Sequence, residues 1–438
     1  MIKHNRFEKG QIIVILAVSM IALLGMTALA LDGGLVYSAR RTAQNSADSA
    51  ALAGGGAAAQ LVKDHRPSEF YCGSTVANNA IAAALTATKS QALENGVSLD
   101  EDLSDGVGVT VTCHKGQFST FLDILVKIST TTETNFAKLV YDKPLKSAVE
   151  TTVRVYPVRP LAFGNAIASL SKSCGNIGGI ILDGDTGITI HKGGIHSNSC
   201  LTGAGNIRIL VEGAVIEYIN IFKYNGVVDP SNPPMQPWPP VKTTSYLPEV
   251  TLQRVPNCDD PSLQKVNWKI GAGSYSPGVY TKGVFHSTGT LTLAPGLYCI
   301  DGDFKSTGGQ IVGENVTIVM RTGSFSLGGN TKVFLTAPNH ENPALGVPPA
   351  VRGLLLYSLP SNNNPVSFTG TNDNTISGTI FVPNGDIKVS GTSNTNNPIE
   401  LGCQLVGNRV TVTGTADIII NFDGAEIYQD PASLELLK

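Results

Sequence analysis

Ile12 to Leu31 (IIVILAVSMIALLGMTALAL) is twenty residues without a formal charge. A helix rises ~1.5 Å per residue, so this run is roughly 30 Å long, the thickness of a bilayer's hydrocarbon core. No second run of this length follows, and the reading is one membrane pass over residues 12–31. Lys3, Arg6 and Lys9 precede it. By the positive-inside rule they keep residues 1–11 as a cytoplasmic tail and export everything after Leu31 across the cytoplasmic membrane. Ala28-Leu29-Ala30 has the spacing of a signal-peptidase site. Against cleavage, the run is longer than a usual h-region, and the helical pattern passes straight through the site where extended backbone is needed. The expectation is a retained anchor.

Residues 32–60 pose a packing problem. ARRTAQNSADSAALAGGGAAA (residues 39–59) has hardly a side chain larger than leucine after its two arginines. A helix made of it buries too little apolar surface to stand as an ordinary core helix. It reads as a stem that continues the anchor, with Ala43, Ala47, Ala50 and Ala51 forming a face that another backbone can approach closely.

The whole stretch from Glu8 to Gly56 resembles the N-terminal segment of TadG-like proteins of Flp (tight-adherence) pilus-assembly systems. The features that carry the resemblance are Gly10-Gln11 before the apolar run, Asp32-Gly33-Gly34 after it, Tyr37, Arg40-Arg41 and the run from Gln44 to Gly54. The resemblance implies helix-to-helix assembly with other Tad/Flp proteins, and a part in pilus assembly or surface attachment, as in type IV pilus-like systems. The segment departs from prepilins, which place a glutamate fifth after the cleaved glycine. Counting from Gly10, that position is Ile15, and Glu8 lies on the wrong side. This argues against prepilin processing and against a role as the main polymerised pilin.

Residues 61–160 read as a small α+β, pilin-like head. Val76–Gln91 has helical spacing closed by Asn95-Gly96. Val107, Val109 and Val111 alternate as a strand, and Phe118–Ile128 suits a strand or a short helix. Lys146–Val158 alternates again through Val149, Thr151, Val153 and Val155. Thr134-Asn135-Phe136-Ala137-Lys138 also resembles the corresponding stretch of Tad proteins.

The far half is all-β. Short apolar runs recur about every ten residues between Gly, Asn and Asp turns, for example GNIRILVEGAVIEYINI and NTISGTIFVPNGDIKVSG. A parallel β-helix and a β-sandwich both fit; the irregular repeat and the scarcity of two-residue hairpin turns favour the β-helix. The divisions are a first solenoid part (161–225), a proline-rich insertion (226–262) too rich in proline for a coil, a main solenoid part (263–428) and a C-terminal tail (429–438).

Chemistry is sparse. Charged residues are 15% of the chain and net charge is −3. With no basic run after Arg41, nucleic acid is not an expected partner. Asp183-Gly184-Asp185 and Asp301-Gly302-Asp303 are close acidic pairs, as a β-helix glycosidase or lyase would need, but both sit in glycine turns where aspartate is ordinary. His191 and His196 are five apart with no third ligand near in sequence, which suits a corner more than a metal. No cofactor, metal or catalytic residue is expected. The seven cysteines all follow the apolar run, without a C-x-x-C pair. Proximity within a module pairs Cys72 with Cys113 and Cys174 with Cys200; Cys258 pairs with Cys299, tying the proline-rich insertion to the coil it leaves, and Cys403 is left free. The second pair assumes that Ile180 to Ile195 is about one coil. The function expected is a membrane-anchored, exported structural component for Flp/Tad pilus assembly or surface attachment, with contact to a surface or matrix through the solenoid. The alternatives are an exported β-helix polysaccharide lyase or hydrolase, and an envelope structural protein unrelated to pili.

Overall fold

The computed structural model describes residues 11–437, except 64, 66–68, 104–105, 117–118, 137–142, 175–178, 186, 230, 340–348, 371–373, 392–398, 416 and 425. The expected cytoplasmic tail, with Lys3, Arg6 and Lys9, lies outside the described residues, as do Ala137 and Lys138. The chain forms two compact units: residues 1–157 with 432–438, and residues 158–431.

In the first unit one helix, α1 (Gln11–Val62), carries the apolar run and the stem without a break. Its apolar part is exposed on every side, Ile12 at 68% and Leu29 at 75%, and it is long and apolar enough to cross a membrane. From Ala43 onward one face is buried. A second helix, α2 (Thr75–Glu94), starts at Ser74, whose Oγ accepts the Ala77 N–H at 3.1 Å, and ends at Asn95-Gly96, with Gly96 at φ 78°. Three strands follow: β1 (Gly108–Lys115), β2 (Thr120–Thr132) and β3 (Leu145–Tyr156), paired antiparallel in chain order. Of the segment suited to either strand or helix, Phe118 lies outside the described residues and Thr120 onward is the inner strand β2. Its Leu122, Ile124, Val126 and Ile128 all point into the core, the period-two pattern of a half-buried strand.

Residues 429–438 are not a simple tail. Ser433–Leu437 pairs antiparallel with β3 as the fourth strand of this sheet. Leu434 and Leu436 remain 41% and 38% exposed, so the strand is held chiefly by backbone pairing, which leaves little hydrophobic signal to read.

The second unit is a β-solenoid of about ten coils whose stacked strands pair in parallel, and the short pair of Arg159–Pro160 with Gln429–Asp430 in the same unit is antiparallel. One ladder shows the coil length: Val279, Cys299 and Val319 are successive rungs twenty residues apart. The first part has a similar step, Ile180 opposite Leu201. One coil there is therefore 21 residues, longer than the span from Ile180 to Ile195. Inward rows such as Val284, Phe304, Phe325, Val366, Ile387, Val410, Ile180 and Leu201 fill the interior.

The order of the coils is the unexpected feature. The strand Ile399–Gly414 stacks on Asn165–Ser169 and Ile180–Gly184, and Ile418–Asn421 stacks on Gly187–His191. The last coil in sequence therefore lies directly beneath the first. Along the axis the solenoid reads 264 to 421 and then 165 to 242. Its two chain ends meet mid-solenoid, where Arg159–Pro160 pairs with Gln429–Asp430. At the seam, Gly391, Gly414, Gly184 and Gly205 form a column. A Cβ on Gly184 would meet the Gly414 carbonyl at 2.4 Å, and Gly184 has φ 106°, so the corner admits no side chain.

This order requires a return segment, and the second half of the proline-rich region supplies it. Met235–Gln236 and Val241–Lys242 pair in parallel with Ile209–Leu210 and Glu217–Tyr218. The start of the expected insertion is instead a terminal coil. Pro233, Pro234, Pro237, Pro239 and Pro240 lack N–H donors, and an end coil can tolerate that because only one of its edges is paired. The chain then runs back as a strap. Leu247 N–H donates to Asn198 Oδ1 (2.8 Å), Arg254 N–H donates to the Tyr428 hydroxyl (2.9 Å), and Cys258 is bonded to Cys299. Strands such as Gly296–Ile300, Val316–Met320 and Leu354–Ser358 are buried at every residue, as continuous apolar runs covered on both faces should be.

Candidate functional site

Several polar residues of the stem tie α1 to the rest of the first unit. Asp32, 3% exposed, accepts the N–H groups of Asn135 and Phe136, each at 3.0 Å. Asp48 Oδ1 accepts from Gln44 Nε2 at 2.7 Å and from the Thr151 hydroxyl on β3 at 2.6 Å. Asn95, at the end of α2, donates to the Ser49 hydroxyl at 2.8 Å. Sequence reasoning missed these roles, because the partners lie 46 to 104 residues away.

Ala43, Ala47, Ala50 and Ala51 are 0–3% exposed, in one core with Ala77, Ala80 and Ala84 of α2 and with Val153 and Val155 of β3. The small-residue face expected to receive another subunit is therefore occupied within the chain. Gly54 and Gly55 show how close the approach is: a Cβ on Gly54 would lie 2.0 Å from Thr88 Oγ1, and one on Gly55 would lie 2.7 Å from Val153 Cγ1. Such small residues let a helix touch a second helix and a sheet at once.

The cysteines are bonded as Cys72–Cys113, Cys174–Cys200 and Cys258–Cys299, with Cα–Cα distances of 5.6, 5.3 and 5.9 Å. Cys403 is a fully buried thiol in the solenoid interior, where burial pushes its pKa up and keeps it from reacting as a thiolate.

The acidic turns work between coils. Arg321, one coil later, donates Nε–H to Asp301 Oδ1 at 2.8 Å and Nη2–H to Oδ2 at 2.5 Å. Asp303 accepts the backbone N–H of Ser324 at 2.8 Å and its hydroxyl at 2.9 Å. These bonds, the backbone one foremost, hold Asp303 below the ordinary aspartate range. Asp183 is a ladder residue between Thr413 and Ala204, and the Asp185 N–H donates to the Gly414 carbonyl.

The histidines have partners that sequence distance concealed. His191 Nδ1 lies 2.6 Å from Glu212, and His196 Nδ1 lies 3.0 Å from Glu217, both one coil on. His196 is fully buried beneath the strap, and its Nε2 faces Asn198 Oδ1, the same atom that takes the Leu247 N–H. Among the described residues no three His, Cys, Asp or Glu side chains come together as a metal group.

Two of the hollows among the described residues of the second unit are roomy. One, of about 620 Å³, lies along strap residues Leu247–Leu252, over Tyr357, Phe381 and Asn408, with Lys172 and Glu249 as its charged lining. The other, of about 370 Å³, lies over Thr189, Leu210 and Gln236, between Arg208 and Asp417. Neither gathers a pair of carboxylates.

No curated protein and no solved structure matches the chain. Residues 10–60 match the model of the Tad family, described as "Putative Flp pilus-assembly TadE/G-like". That interval is the apolar run plus the part of α1 that the polar ties and the alanine face fasten to the first unit. Residues 10–60 are thus a Tad domain of the TadE/G-like kind, and with the apolar helix inside it they support a membrane-anchored component of an Flp/Tad system.

Proposed function

We propose that this protein is a single-pass, exported structural component that supports assembly of an Flp/Tad-type pilus or attachment to a surface, without catalysis of its own. The observation that carries the reading is the coincidence of the Tad domain with a helix fit to cross a membrane. Lys3, Arg6 and Lys9 before that helix orient the amino terminus to the cytoplasm. Partners within the system meet α1 through its apolar run and through the stripe that stays outside the core, Arg41, Asn45, Leu52 and Gly56. The solenoid is the part offered to a surface or matrix. The engagement of Asp301 by Arg321 and of Asp303 by Ser324 supports a structural rather than hydrolytic solenoid.

Deleting the gene should abolish pili or surface attachment, and a reporter fused after Gly56 should be active only outside the cytoplasm. Normal piliation and attachment in the deletion strain would count decisively against the proposal. Turnover of a glycan by the solenoid, lost in Asp301→Asn or Asp183→Asn, would replace it with the enzymatic reading.

A further inference from the structure

Asp32 is the first residue after the uncharged run, so its Cα lies at the level where α1 leaves the hydrocarbon. Helical side chains lean toward the helix N-terminus, which here is the bilayer side. A carboxylate in that place would ordinarily seek water, yet Asp32 is 3% exposed. It is satisfied by accepting two consecutive backbone N–H groups, those of Asn135 and Phe136, each at 3.0 Å. Hydrogen bonds to an ionised acceptor are about twice as strong as neutral ones, so this is a firm clamp on the turn that follows β2. Thr134, next to the clamp, is 2% exposed, whereas Phe136 is 44% exposed. The clamp therefore holds an exposed aromatic side chain at the height of the membrane boundary. Tyr37, 69% exposed, lies five residues further along α1, roughly 7.5 Å farther out. Tyr and Trp are enriched at the boundary between headgroups and acyl chains, and Phe, Trp and Leu make up the apolar face of helices that lie in it.

We infer that Phe136 is a second membrane contact of the first unit, pinned by Asp32 so that its ring rests in the lipid interface beside the anchor helix. The occupant is lipid rather than protein because the position is set by continuity with the apolar run. This inference rests on the reading that residues 12–31 span a bilayer. Two attachment points would resist tilting of α1 about the membrane surface, which a single helix alone cannot do.

The test uses full-length protein in phosphatidylcholine vesicles, with Trp238→Phe and Trp268→Phe removing the native tryptophans. Phe136→Trp and, separately, Leu23→Trp then report on lipid contact through quenching by brominated acyl chains. Trp at 136 should lose at least about half of its emission, more with bromine near the headgroup than near the chain end, as an interfacial position requires. Adding Asp32→Asn should weaken that quenching while leaving quenching at position 23 unchanged. An unquenched Trp at 136 with a quenched Trp at 23 overturns the inference and would fit a ring that docks on protein. Quenching at 136 that is indifferent to Asp32→Asn removes the clamp and overturns it equally. An unquenched Trp at 23 refutes the anchor reading itself.

Discussion

The two units solve the problem of burial in opposite ways. In the first, α1 comes close to α2 and β3 because atoms are missing: Gly54, Gly55 and a file of alanines leave room for backbone. In the second, rows of Ile, Leu, Val and Phe fill the coils, and inner rungs are backed by similar apolar side chains above and below. A core built on close approach fails when something is added. A core built on stacked side chains fails when something is removed. The contrast assigns each unit its own weakness and makes the assignment testable.

The largest effect is expected from Phe325→Ala. Phe325 is 1% exposed and sits between Phe304 and Phe368, with ring centroids at 4.7 and 5.7 Å. Its truncation should cost the second unit about 3–5 kcal/mol, read from the denaturant midpoint of that unit. A loss below about 1 kcal/mol would mean the coils close over the gap, contrary to a rigid stack.

Next comes the converse substitution, Gly54→Leu. With Thr88 Oγ1 at 2.0 Å and the Ala84 carbonyl at 2.9 Å from a Cβ placed there, overpacking should destabilise the first unit by about 3 kcal/mol. Differential scanning calorimetry should show the first unit's transition falling while the solenoid's stays in place. Equal tolerance of leucine at this site would break the comparison.

A smaller effect is local to α2. Ser74→Ala removes the acceptor for the Ala77 N–H and should cost about 1 kcal/mol in the first unit, measured by thermal melting.

The smallest concerns acid. Because the pKa of Asp303 is lowered in the folded state, its contribution is present above the ordinary aspartate range and is lost as pH falls through that lowered value. Asp303→Asn should therefore flatten the acid limb of the second unit's stability profile and leave that of the first unit alone. Asp430, raised by burial, acts in the opposite sense over a higher window, so the comparison is between wild type and the single variant. An unchanged acid limb would show that the Ser324 contacts add nothing.

Local pattern carried much of this architecture. The long apolar helix, fit to cross a membrane, follows from length and lack of charge between Ile12 and Leu31, and β2 and β3 follow from alternation at Leu122–Ile128 and Val149–Val155. Runs such as LYCI and LLLYS, apolar at successive positions, mark strands covered on both faces, and the short β runs recurring irregularly, about every ten residues, mark coils. Two disulfides were legible because each joins segments already close within a module, and the third because it ties the proline-rich region to the adjoining coil.

What the sequence alone determined is therefore the identity of the pieces: one long apolar helix, its small-residue continuation, alternating strands and a set of coils. Only the tertiary structure decided which pieces meet. The Asp32 clamp, the inward use of the Ala43–Ala51 face, the glutamates beside His191 and His196, and the fourth strand at Ser433–Leu437 all depend on long-range placement. The order of the coils depends on it most. Parallel rungs of β-branched and aromatic residues are chemically interchangeable, so nothing local distinguishes 165–184 following 399–414 from the reverse. The period sets the size of a coil, whereas its neighbours are fixed by where the strap can reach and which edge the end-coil prolines leave unpaired.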